Sequence, residues 1–302
     1  MFSGLSAFPL TPMNESGVDE AAFVRLTERL AEASVDSISA LGSTGNYAYL
    51  TRAERARVAQ LAVKHAGNVP VIVGIGALRT REVLALAEDA QKAGASAVLL
   101  APVSYQKLST DEVFDLYETV AHSLSVPLCV YDNPGTTHFE FSEELYGRIA
   151  QLPNVRSIKI PGVPADPEAT KAHVERLRAL IPPHVTLGVS GDAFAATGLN
   201  AGCEAWYSVI GGLFPKTALA ITRAAQAGDT QEAMGLSERL QPLWSLFGQH
   251  GGSLRVVATA AELRGLVEHP SLPLPLKALE GTSRQQLAVL LDELDSSLAQ
   301  AS

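Results

Sequence analysis

Short apolar or β-branched runs recur along the first two-thirds of the chain, at residues 5–8, 37–41, 69–74, 97–100, 126–131, 155–160, 185–190 and 205–209. Runs of this length, bounded by turn-forming residues, predict strands. Between them lie stretches with helical periodicity, at 19–33, 52–66, 79–93, 110–123, 142–151, 166–180, 193–200 and 215–227. Thr51 ahead of Glu54, Ser109 and Thr110 ahead of Glu112, and Ser142 ahead of Glu144 mark helix starts. Gly67, Gly94, Gly202 and Gly228 mark helix ends.

A strand followed by a helix, repeated eight times, predicts a (β/α)8 barrel. The alternative is a doubly wound open sheet, which normally carries a glycine-rich dinucleotide fingerprint after an early strand. Gly42-Ser43-Thr44-Gly45 follows the second strand but has neither that spacing nor a phosphate-loop lysine. The barrel closes within residues 1–229. Residues 230–302 show no strand pattern and read as three helices, at 230–249, 253–266 and 283–299, with a proline-rich connector at 269–275. This C-terminal region reads as a helical appendage packed on the barrel.

Composition narrows the function classes. The chain has 302 residues, 47% of them hydrophobic and 18% charged, which is globular composition. A net charge of −9 without a basic stripe argues against nucleic-acid binding. Cys129 and Cys203 sit in apolar stretches and read as buried free thiols, which suits a reducing compartment. No apolar run reaches the length of a membrane span, and the first ten residues lack the basic start of a secretory signal. A cytoplasmic protein is expected. The seven histidines are scattered, so no metal site is expected.

Of the seven lysines, only Lys159 lies inside a strand pattern. Alternation places Ile158 and Ile160 under the helices, and Val155, Ser157 and Lys159 on the barrel's inner face. Lys159 is near the C-terminal end of its strand, where barrel active sites are built. A desolvated amine there has a lowered pKa, and a neutral amine is what imine formation with a carbonyl needs. Tyr131 ends the preceding strand. Leu128 and Val130 face the helices there, so Cys129 and Tyr131 point inward. Tyr131 and Lys159, one β/α unit apart, stand at the same barrel end and can exchange a proton through a bound substrate. The loop Gly42-Ser43-Thr44-Gly45-Asn46 supplies hydroxyls and backbone N–H groups suited to a carboxylate.

Together these residues resemble the pyruvate-dependent Schiff-base family of dihydrodipicolinate synthase and N-acetylneuraminate lyase. The likeness runs through Ala7-Phe8-Pro9-Leu10-Thr11-Pro12, Gly42-Ser43-Thr44-Gly45, Tyr131-Asp132-Asn133-Pro134, Ile158-Lys159, Ser190-Gly191-Asp192 and Ala205-Trp206-Tyr207-Ser208. It implies that Lys159 forms the imine with pyruvate or another 2-keto acid. It also implies that Tyr131 relays protons, that Ser43 and Thr44 hold the substrate carboxylate with Ser43 linked to Tyr131, and that Gly191 and Tyr207 line the pocket through their backbone. A homotetramer is implied as well. The protonated imine is the electron sink, so no cofactor is implied.

Several positions depart from the family pattern. Thr136 stands where the synthase has an arginine that grips the second substrate's carboxylate, and threonine cannot make that bidentate contact. Asn46 replaces an acidic residue. Ser104 replaces a relay tyrosine, with Tyr105 one place on as its possible substitute. Tyr207 stands where an aliphatic residue is usual. The imine-forming half is intact and the acceptor-recognition half is altered. The expectation is a Schiff-base lyase, aldolase or synthase acting on pyruvate or a 2-keto-3-deoxy acid. The alternatives are 4-hydroxy-tetrahydrodipicolinate synthase itself, a 2-keto acid dehydratase, and a keto-acid-binding member without turnover. A phosphate-binding isomerase barrel fits less well, because Asp192 and Glu204 lie among the glycines that would grip phosphate.

Overall fold

The computed structural model describes residues 1–300, with side chains to position 294. Eight parallel strands close into a barrel. They are β1 (Gly4–Ala7), β2 (Ser37–Ala40), β3 (Val71–Gly74), β4 (Ala97–Leu100), β5 (Leu128–Tyr131), β6 (Val155–Ile160), β7 (Thr186–Ser190) and β8 (Ala205–Ser208). The helices that follow them are α1 (Glu20–Glu32), α2 (Arg52–His65), α3 (Thr80–Lys92), α4 (Thr110–Ser123), α5 (Glu143–Ala150), α6 (Pro167–Leu180), α7 (Ala195–Asn200) and α8 (Pro215–Gln226). This is the (β/α)8 barrel that the alternation predicts. The open-sheet alternative fails because β1 pairs with both β2 and β8.

The helix starts have local causes. Thr51 accepts from the Glu54 N–H and Ser109 from the Glu112 N–H, each with the glutamate bonding back to the cap backbone. Ser142 accepts from the Leu145 N–H.

Strand alternation sorts the core into two layers. Leu5, Ile38, Val98, Val130, Ile158 and Trp206 pack between strands and helices. Phe8, Ile72, Leu99, Cys129, Tyr131 and Tyr207 fill the barrel interior. Val155 departs from the expected inner face and packs in the outer layer. The β5–β6 register shifts between Leu128 and Cys129, whose partners are Val155 and Ser157. One extra residue, Arg156, is accommodated there, so Val155 turns outward while Ser157 and Lys159 remain inside. Both cysteines are buried free thiols.

Beyond α8 the chain forms α9 (Thr230–Glu238), α10 (Gln241–Gln249), α11 (Ser253–Leu263) and α12 (Gly281–Gln300), four helices where three are expected. The helix expected over 230–249 breaks at Arg239 and Leu240. Pro242, in the first turn of α10, has no N–H to donate to the Glu238 carbonyl and would clash with it in a continuous helix. The Trp244 indole N–H instead donates to the Ser237 carbonyl at 3.2 Å. Helix α11 stops short of residue 266 because Gly265 adopts φ +64° and the Leu266 N–H returns to the Ala261 carbonyl. The connector after it is tied to Glu262, whose side chain is 1% exposed. That carboxylate accepts from Arg284 at 2.7 Å and Ser271 at 2.9 Å and lies 3.0 Å from His269 Nδ1. Among the described residues, no helix is long and apolar enough to cross a membrane.

Candidate active site

The register of β5 and β6 pairs Tyr131 directly with Lys159. Lys159 is 4% exposed, and rings surround its amine. Nζ lies 3.8 Å from the Tyr131 ring centroid, 4.2 Å from that of Phe8 and 5.9 Å from that of Tyr207. Aromatic faces favour an ammonium, but loss of hydration is the larger effect. Burial pulls the Lys159 amine down to about 7, with Cys129 and Asp192 opposing. A comparable population of neutral amine is therefore present at neutral pH.

The loop after β2 is built from overlapping turns, with the Gly45 N–H bonded to the Gly42 carbonyl and the Asn46 N–H to the Ser43 carbonyl. Its root presses on β3 at Gly74, where a Cβ would stand 1.9 Å from the Leu41 carbonyl oxygen. The loop carries Ser43 to the end of β5, where its Oγ is 3.2 Å from Tyr131 Oη. Thr44 is buried beside it, and Asn46 is buried at the start of a short 3-10 turn. Burial pushes the Tyr131 phenol up to about 12, while its hydrogen bonds to Ser43 and Asn133 oppose the rise.

Tyr207 is buried beneath Lys159. Its hydroxyl is 2.6 Å from Ser157 Oγ, which also accepts from Thr186 at 2.9 Å, and the Cys129 thiol donates to it at 3.3 Å. The phenol is thus committed to a polar floor inside the barrel. Gly188 makes room for the ring, since a Cβ there would lie 2.2 Å from Tyr207 Cε2. Gly191 ends β7 at φ +79° and starts a 3-10 turn, Asp192–Phe194. Asp192, buried, accepts from Trp206 Nε1, Ser208 Oγ and the backbone N–H groups of Val209 and Ile210. It fastens the ends of β7 and β8 together beside the amine. Burial raises its pKa against those bonds.

Two expected residues are exposed. Tyr105 is 91% exposed, and the partners of Tyr131 Oη are Ser43 and Asn133. Thr136 is exposed on a one-turn helix, Pro134–Thr137, with its hydroxyl 3.4 Å from the Asn133 carbonyl. Asn133 itself escapes sequence reasoning, because an asparagine before a proline reads as a turn former. Its Nδ2 donates to Tyr131 Oη at 2.9 Å. Asp132 also escapes it. Its carboxylate accepts from Tyr146 Oη and is pushed up to about 6, chiefly by burial. Among the described residues, no group of three or more His, Cys, Asp or Glu side chains is arranged to hold a metal ion.

A model of the dihydrodipicolinate synthetase family matches residues 1–294. The chain belongs to the dihydrodipicolinate synthetase family. The 4-hydroxy-tetrahydrodipicolinate synthase of Parvibaculum lavamentivorans is 33% identical over 290 residues, spanning 95% of this chain and 96% of its own. The solved dihydrodipicolinate synthase from Agrobacterium tumefaciens is 45% identical with a TM-score of 0.93, covering 97% of this chain and 98% of that one. The enzyme from Acinetobacter baumannii, solved in complex with pyruvate, is 27% identical with a TM-score of 0.87, covering 98% and 99%. Membership in the dihydrodipicolinate synthetase family makes this chain a Schiff-base-forming enzyme of the class I aldolase-type lyases.

Proposed function

We propose that Lys159 forms an imine with the keto carbon of pyruvate or a 2-keto-3-deoxy acid, and that the adjacent carbon–carbon bond is then made or broken. The observation that carries this reading is the buried amine of Lys159, drawn down to about 7 and placed against the ring of Tyr131. The neutral amine attacks the keto carbon. As the carbinolamine collapses, its hydroxyl leaves as water with the proton of Tyr131, giving a protonated imine beside a phenolate. That phenolate, a strong base in its buried setting, removes a proton from C3 or from the hydroxyl of a cleaving aldol. The electron pair enters the imine to give a neutral enamine and a neutral phenol.

Ser43 and Thr44, with the N–H groups of their loop, hold the substrate carboxylate, and the backbone at Gly191 and Tyr207 lines the rest of the pocket. Thr136, Asn46 and Ser104 favour an acceptor other than aspartate semialdehyde. The chemistry belongs to residues 1–229, with residues 230–302 as a packed appendage. A cytoplasmic homotetramer accompanies this reading.

Borohydride reduction in the presence of pyruvate tests it. An adduct mapped to Lys159 by peptide mass supports the reading, and an adduct on another lysine, or none, overturns it. A panel of 2-keto-3-deoxy acids scored by pyruvate release then distinguishes cleavage from dehydration and from synthase activity.

A further inference from the structure

Phe8 follows β1 directly, and its neighbours fix both its backbone and its ring. It precedes Pro9, which favours an extended backbone at Phe8. Its N–H donates to the Ser208 carbonyl at 2.9 Å. The ring fills a niche left by Gly42, where a Cβ would stand 2.5 Å from Phe8 Cδ1. It also meets the Tyr207 ring edge to face, with planes at 85°. Held in this way and buried, Phe8 turns its face to Lys159 Nζ at 4.2 Å, while Tyr131 turns its own at 3.8 Å. The Asp192 carboxylate is engaged by Trp206, Ser208 and two backbone N–H groups rather than by the amine.

The face of an aromatic ring carries negative potential and attracts a cation, most strongly where water is excluded. We propose that Phe8 is a further catalytic residue, whose ring face stabilises the positive charge on the Lys159 nitrogen, first in the ammonium and again in the iminium. The inference rests on the imine reading above. In that reading the ammonium and the keto group give an iminium and water. The water carries away the keto oxygen and two protons of the ammonium, and the nitrogen group stays singly positive. Starting from the neutral amine, the same product takes up one proton, so a charge is created beside the ring. Tyr131 changes its own charge as it passes protons. Phe8 does not, and its contribution is present whenever the nitrogen is cationic and absent in the neutral amine and the enamine. The ring therefore favours the iminium over the free amine without favouring it over the ammonium.

Pyruvate is the probe. The full-length protein is equilibrated with graded pyruvate at about pH 6 and about pH 9, on either side of the Lys159 pKa of about 7, and quenched rapidly with borohydride. Intact mass gives the fraction trapped, and peptide mass locates the adduct. Phe8→Leu keeps an apolar side chain and removes the ring face. At about pH 6, where ammonium becomes iminium, the variant's half-saturating pyruvate stays within about twofold of the wild type. At about pH 9, where neutral amine becomes iminium, it rises about fivefold. The midpoint pH of the trapping rate falls by about 0.7 in the same variant. If Phe8→Leu does not fold, Phe8→Met is read in the same way. An upward move of the midpoint, an equal rise at both pH values, or no rise at about pH 9 overturns the role of Phe8 while leaving the imine intact. Absence of any wild-type adduct on Lys159 overturns the imine reading, and this inference with it.

Discussion

Lys159 and Tyr131 are register partners on adjacent strands, with the amine 3.8 Å from the centroid of the ring. The pairing links the two chemical roles rigidly. Both side chains hang from parallel strands whose spacing is set by backbone hydrogen bonds, so neither moves without the barrel.

The first consequence is a pH profile. The reactive form of Lys159 is the neutral amine, and burial brings its pKa to about 7 from the usual 10.5. The initial rate of pyruvate trapping by cyanoborohydride is expected to rise about tenfold from pH 6 to pH 8 and then level off. A rate still climbing in proportion to hydroxide from pH 8 to pH 10 would mean the amine titrates as an ordinary lysine.

Gly188 and Tyr207 form a second matched pair. The ring is pinned by its bond to Ser157 and stands edge-on to Phe8, with centroids 6.1 Å apart. A methyl group at Gly188 would collide with it. Gly188→Ala is expected to cost about 2–3 kcal/mol in chemical denaturation, and adding Tyr207→Ile should recover most of that loss. A single variant as stable as the wild type would show that the ring has room to shift.

Asp132 supplies a third expectation, with a definite sign. Its pKa in the fold is about 6, above the ordinary 3.8, so the folded chain favours the protonated form. Ionisation therefore costs stability. The loss sets in above pH 4 and is complete above about pH 6. Asp132→Asn keeps an acceptor for Tyr146 and removes the charge. The variant should be about 2 kcal/mol more stable than the wild type at pH 7, with the gain shrinking toward pH 4. A gain independent of pH would assign the effect to packing instead.

Thr136 tests acceptor choice. It is exposed on the one-turn helix, where a longer side chain meets no core. Thr136→Arg is expected to raise kcat/KM for aspartate semialdehyde by about tenfold, the worth of one charge-assisted contact to a carboxylate. Vigorous synthase activity in the wild type, unmoved by the substitution, would refute the weight placed on this position.

The barrel was legible because the strands are short and largely apolar and most of the helices between them start at a capping side chain, so local chemistry and global topology agree. The inward aim of Tyr131 and Lys159 followed from alternation alone. Val155 did not, because a bulge is a property of two strands together and leaves no mark in one of them. Asn133 and Asp132 stand within the Tyr131–Pro134 stretch, but their roles were not legible there, for another reason. Each is an ordinary turn residue by sequence, and only the folded neighbours, Ser43 in one case and Tyr146 in the other, give it a chemical setting. The break at Arg239 was written in Pro242 but obscured by unbroken helical periodicity on either side.

Glu262 makes the integrity of the tail a condition of its own folding. The carboxylate is buried, and its guanidinium partner arrives 22 residues later with Arg284. A chain nicked or truncated ahead of Arg284 would retain the anion and lose the cation. Ser271 and His269 would still meet the carboxylate, but losing the guanidinium from so buried a site weakens the hold on α11 and the connector. The ion pair thereby makes the anchorage of α11 and the connector depend on α12.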